Sequence, residues 1–148
     1  MPDAIVLPIT LTIAGASALI AVWLGFRVSR LRLRHKVSVG DQANEQILCR
    51  MRAHANFAEY TPIFLILLAI VELARGSQTW LWAVGIAYIL ARLAHPFGMD
   101  RPAPNKLRMV GILVTWLVLL GLAAYALAIP YLERSKPVTI QYAETPLR

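Results

Sequence analysis

Residues 50–64 read RMRAHANFAEYTPIF, and the apolar run that they open extends from Phe57 to Ala74. Two arginines, His54, Asn56 and Glu59 thus stand at the mouth of a stretch with the length and composition of a membrane span. A bilayer core about 30 Å thick takes about 20 apolar residues of helix to cross. Working outward, three further blocks qualify or nearly so: Ala4 to Phe26, Trp80 to about Ala94, and Leu107 to Leu132, of which Met109 to Ile129 carries no charge. The chain of 148 residues is 58% hydrophobic and only 16% charged, and most of its charges fall between or beyond the blocks. The reading is all-α: an integral membrane four-helix bundle with helices at about 4–36, 44–75, 79–95 and 105–131, followed by a polar tail over 133–148.

The charge pattern orients the bundle. Net charge is +7, with 15 Lys and Arg. Seven of these flank the first connection (Arg27, Arg30, Arg32, Arg34, Lys36, Arg50, Arg52) and four the last (Arg92, Arg101, Lys106, Arg108), while Arg75, Arg134, Lys136 and Arg148 belong to the other side. This asymmetry is the positive-inside signal, which places both basic connections in the cytoplasm and both termini outside, as in a bacterial inner membrane. Topology accounts for the charge, so no nucleic-acid partner is expected. The first block is not a signal peptide, because its positive residues follow the apolar run. Cys49 is the sole cysteine, which excludes an internal disulfide or a cysteine metal cluster; it reads as a small packing residue at the membrane edge. No metal site is expected.

Local signals set the boundaries. Gly40 and Asp41 break the first helix, and Asp41 or Asn44 can cap the second, with Glu45 in its first turn. Gly76 and Ser77 end the second helix; Trp80 and Trp82 mark an interface. Pro96 and Gly98 are expected to end the third helix, and Pro130 the fourth.

Within the second helix, Glu45, Cys49, Arg52, Asn56 and Glu59 are spaced 4, 3, 4, 3, which keeps all five on one narrow stripe, with His54 opposite and Tyr60 beside it. An ionisable group at membrane depth costs about 2.5–3.5 kcal/mol on insertion scales. The stripe is therefore expected to face the protein interior or a wet cavity. Arg92 and Arg108 belong to the same end. Three arginines and one glutamate leave excess positive charge, which an anion would complement. An ion-pair network joining Arg52 and Glu59, with Asn56 as polar glue, is the purely structural alternative.

The stretch resembles the second-helix signature of the MAPEG family, the membrane-associated proteins in eicosanoid and glutathione metabolism. That signature is Arg, three residues, Asn, two residues, Glu, then Pro three further on, matched here by Arg52, Asn56, Glu59 and Pro62. The resemblance implies a homotrimer that binds glutathione as co-substrate between subunits near the cytoplasmic face. By position in the motif, Arg52, Asn56, Glu59 and Tyr60 would hold glutathione. Arg92 takes the place of a helix III arginine, and Arg108 that of the helix IV arginine which stabilises the thiolate and is the catalytic candidate. His95 and Met99 stand where the leukotriene-forming branch has tyrosines; His95 is kept among the candidate ligand-binding residues.

The chemistry suits these side chains. Glutathione carries two carboxylates and an ammonium, which call for guanidinium groups and one carboxylate; Asn56 can donate and accept toward a peptide bond. The implied activity is a glutathione transferase or peroxidase acting on a lipophilic small-molecule substrate. A non-catalytic lipid- or partner-binding scaffold of the same fold, or a small transporter subunit, is the alternative.

Overall fold

The structure, a computed structural model, describes residues 6–134. It contains four helices: α1 (Pro8–His35), α2 (Glu45–Arg75), α3 (Thr79–Met99) and α4 (Lys106–Arg134), with no strand among the described residues. All four are long and apolar enough to cross a membrane. The start expected at residue 4 and the tail beyond residue 134 lie outside the described residues.

The helix ends follow from local chemistry. Pro8 sits in the first turn of α1, where a missing N–H costs nothing. Lys36, in the left-handed region at φ 57°, ends the helix. Of the two cap candidates for α2, Asn44 takes the role: its Oδ1 accepts from the Ile47 N–H at 3.1 Å. Gly76, at φ 74°, ends α2, a backbone angle that a residue without Cβ adopts freely. Asn105 Oδ1 accepts from the Leu107 and Arg108 N–H groups at 3.0 and 3.4 Å and so starts α4.

Two helices run further than the prolines predict. α3 continues through Pro96 to Met99, and α4 through Pro130 to Arg134. Each proline lies within a turn of its helix end, so it removes a single backbone bond. Unwinding at that point would leave several backbone groups unpaired beside apolar surroundings, a larger cost.

α2 and α3 form the centre: α1 packs on both, α4 packs on both, and α1 and α4 do not touch. The main core gathers Ile9, Ile13, Phe64, Leu68, Val71 and Leu81 around Tyr88. Phe64 and Tyr88 stack with centroids 3.6 Å apart, and Thr61 Oγ1 lies 3.0 Å from Tyr88 Oη. Tyr88 is therefore a packing residue. Lipid tails are as apolar as leucine, so close packing has to hold such a bundle together. α3 and α4 approach tightly at Gly111, where a Cβ would lie 2.9 Å from the Ala91 carbonyl oxygen and from His95 Cβ.

Polar contacts tie both ends. Where α1 begins, no side chain of its own caps it. Instead the buried Glu72, near the end of α2, accepts through Oε1 from the Ile9 N–H (3.0 Å) and the Ser77 hydroxyl (2.7 Å). Through Oε2 it accepts from the Thr10 N–H (2.8 Å) and the Thr10 hydroxyl (2.7 Å). Donors that every helix start leaves unpaired are thus satisfied from another helix. At the basic end, Asp100 pairs with Arg27 of α1 and lies 3.7 Å from Arg50 Nε of α2. Arg27 also lies over the Trp23 ring, 4.8 Å from its centroid.

Candidate functional site

The predicted stripe exists, but it faces outward. Glu45, Arg52 and Glu59 are exposed on the single chain, and Cys49 and Asn56 are half-buried. Beyond them the exposed Ile63, Ile66, Ile70 and Leu73 continue the alternation of fours and threes to the far end of α2. Of the expected protein interior or wet cavity, the single chain gives this stripe no interior: within one chain it is an outer seam, with a cavity at its foot. The reason is competition for the interior. Ile47, Ala53, Phe57, Thr61, Phe64, Leu68 and Val71 form a second periodic face on the same helix and occupy the core. Arg52 and Glu59 make no hydrogen bond or ion pair among the described residues, so the Arg52–Glu59 network is not formed.

Among the described residues, Arg92 is the one arginine that is fully buried. It is 1% exposed, lies 5.7 Å from the centroid of the Phe57 ring, and has no carboxylate paired to it among the described residues. Its Nη2 donates to Asn56 Oδ1 at 2.8 Å and its Nη1 to Thr115 Oγ1 at 3.3 Å. The Thr115 hydroxyl in turn donates to the Gly111 carbonyl at 2.8 Å. Arg92 and Asn56, both predicted site residues, are thus in direct contact. Arg92 reaches the seam only through Asn56.

Tyr60, half-buried beside the seam, accepts through Oη from Trp116 Nε1 of α4 at 3.1 Å. His95 is buried (4% exposed) against α4 near Gly111. Burial between α3 and α4 separates it from the outward seam that Arg52 and Glu59 share. Arg108 is exposed in the first turn of α4.

A cavity of about 580 Å³ opens at the basic end, lined by Glu45, Cys49 and Arg50 of α2, the end of α3, the connection through Arg101, and Arg108. Its size falls in the range of small-molecule sites, about 300–1,000 Å³. Arg108 lines it and Lys106 does not. Cys49, read from sequence as a packing residue, also lines it. Arg52 follows one turn beyond Cys49 on the same stripe, so the cavity sits at the foot of the seam.

Four contributors escaped the sequence reading. Glu72 carried a signal, being an acidic residue deep in an apolar run. Asp100 carried a weaker one, as an acid among basic loop residues. Thr115 and Trp116 carried none, since both residue types are ordinary in membrane helices. The seam can offer a guanidinium, a carboxylate and amide and phenol groups to a ligand bearing charges of both signs.

A sequence profile described as the MAPEG family matches residues 10–128. Over 108 residues the chain is 33% identical to Inner membrane protein YecN of Escherichia coli strain K12 and equally to the protein of that name from E. coli O6:H1. The match covers 72% of this chain and 81% of each relative.

Proposed function

Because the chain belongs to the MAPEG family, we propose that it is a multi-pass inner membrane protein that binds glutathione between copies of itself, as a homotrimer, and activates the thiol. In this reading the basic end is cytoplasmic and both termini lie on the other side. The inner-membrane name of its relatives supports the location.

One observation carries the reading: Arg52 and Glu59 are exposed, and unpaired among the described residues, on a seam of α2 that is otherwise apolar toward its far end. Charges at that depth facing hydrocarbon would cost several kcal/mol together. A neighbouring copy and a ligand would cover them. The seam's 3.5-residue period is that of helix-to-helix packing. A ligand with two carboxylates and an ammonium matches the groups offered.

Arg52, Asn56 and Tyr60 hold the acceptor groups of the tripeptide, and Glu59 its ammonium. Arg108, at the cavity, stabilises the thiolate. The free thiol, with a pKa near 8.5, is only a few per cent ionised at neutral pH. Lowering that value by about 2 units needs about 2.7 kcal/mol, which an adjacent guanidinium in a partly desolvated site can supply. The thiolate then attacks a lipophilic electrophile or reduces a lipid peroxide that reaches the site from the bilayer.

The test is a glutathione titration of detergent-purified protein, following thermal stabilisation and thiolate absorbance together with turnover of a reactive electrophile. Saturable stabilisation with a thiolate signal is expected. Stabilisation without thiolate or turnover would favour a binding scaffold, and the absence of both stabilisation and thiolate signal would overturn the reading.

A further inference from the structure

Asn56 on the seam and Tyr60 beside it are each held by an obligate donor: Arg92 from the buried side, Trp116 across the partly exposed face toward α4. An arginine side chain has only N–H donors, and the tryptophan indole has a single one. Arg92 gives Nη2–H to Asn56 Oδ1, and Trp116 gives Nε1–H to Tyr60 Oη. The chemistry of the partners fixes the sense of both bonds. An amide whose oxygen is turned to a guanidinium turns its NH₂ away. A phenol oxygen that accepts from an indole keeps its own proton to give elsewhere. Thr115 closes the arrangement from α4: its proton is spent on the Gly111 carbonyl, so it meets Arg92 only as an acceptor and leaves Nη2 for Asn56.

We infer that Arg92 and Trp116 are positioning residues that fix Asn56 and Tyr60, four residues apart on α2, as hydrogen-bond donors toward the seam, so that this part of the site selects an acceptor group, a carboxylate or peptide carbonyl, and rejects a donor such as an ammonium. The inference rests on the glutathione reading for its ligand. It moves Arg92 from direct ligand contact to a role behind Asn56 and gives Trp116 a role in the site. It also divides the seam: Asn56 and Tyr60 face the anionic or carbonyl part of the ligand, which leaves Glu59 alone to meet a positive group. Burying an arginine with no carboxylate beside it is expensive, and the orientation of Asn56 is what that burial secures here.

The experiment compares the wild type with Asn56→Asp, Arg92→Met, Arg92→Lys, Trp116→Phe and Trp116→Gln, each titrated with glutathione and with glutarate, a dicarboxylate with no thiol, peptide or ammonium. Asn56→Asp replaces the outward donor by an acceptor while Arg92 keeps an oxygen to bind. Affinity is expected to fall at least tenfold for both ligands with the melting temperature unchanged or raised. Arg92→Met is expected to lose affinity similarly, and Arg92→Lys, which restores a donor, to recover most of it. Trp116→Phe is expected to weaken binding several-fold, with Gln rescuing it. Unchanged or tighter binding in Asn56→Asp, or no rescue by either conservative variant, overturns the inference while the glutathione reading stands. Binding of glutarate but not glutathione by the wild type overturns that reading and leaves the donor arrangement supported if Asn56→Asp abolishes it. Binding of neither overturns both.

Discussion

Gly98 of α3 lies so close to the first turn of α4 that a Cβ built on it would sit 2.7 Å from Arg108 Cα and nearer still to the Arg108 backbone nitrogen. Only a residue without Cβ lets the two helices meet there, and the contact sets where the Arg108 side chain leaves the backbone. Gly98→Ala is expected to displace the start of α4, lowering the melting temperature by several degrees. Thiolate absorbance in the presence of glutathione should fall further than that of a surface variant of equal stability. Unchanged absorbance would detach Arg108 from thiol activation.

Arg52→Ala and Glu59→Ala test the seam directly. Neither residue has a partner among the described residues, so removing either should leave monomer stability within about 0.5 kcal/mol, as for other unengaged surface positions. Glutathione affinity, measured by calorimetry, should fall about tenfold or more in each. Affinity equal to wild type in both would contradict the assignment.

Glu72→Ala removes four accepted hydrogen bonds at once and leaves the Ile9 and Thr10 N–H groups without a protein partner. Each buried donor left unsatisfied costs about 1–3 kcal/mol. A loss of several kcal/mol is expected in a reversible denaturation assay, with Glu72→Gln losing less because it keeps an acceptor. Glutathione affinity of the folded fraction should not change, since Glu72 stands at the opposite end from the cavity.

Asp100→Asn should act in the same direction as Glu72→Ala, but mildly and in a salt-dependent way. Asp100 is one-third exposed and faces Arg27 and Arg50. Pairs of this kind contribute about 0–1 kcal/mol and are screened by ions. The variant is expected to melt within a few degrees of wild type, and the difference should shrink between low and high salt.

Much of this architecture can be read from the residues. Four apolar blocks give four helices, because span length is fixed by bilayer thickness and the pattern survives any detail of packing. The period-3.5 arrangement of Glu45, Cys49, Arg52, Asn56 and Glu59 gives the stripe for the same reason. Which way the stripe points is less legible, since α2 carries two periodic faces and only the packing of α1, α3 and α4 decides which is inside. Pro96 and Pro130 mislead because the rule for a proline in a helix ignores the cost of the alternative in apolar surroundings. Thr115 and Trp116 stay hidden because their roles exist only through Arg92 and Tyr60, residues on other helices and more than twenty positions away.

The clasp that Glu72 places on the first turn of α1 has a bearing on biosynthesis. Residues 9 and 10 leave the ribosome more than sixty positions ahead of the carboxylate that will receive their N–H groups, and Ser77 comes later still. During translation α1 therefore travels with a loose leading end. The hairpin of α1 and α2 can latch only when the turn after α2 has emerged, so a nascent chain halted before residue 72 would carry an unfastened helix into the translocation machinery.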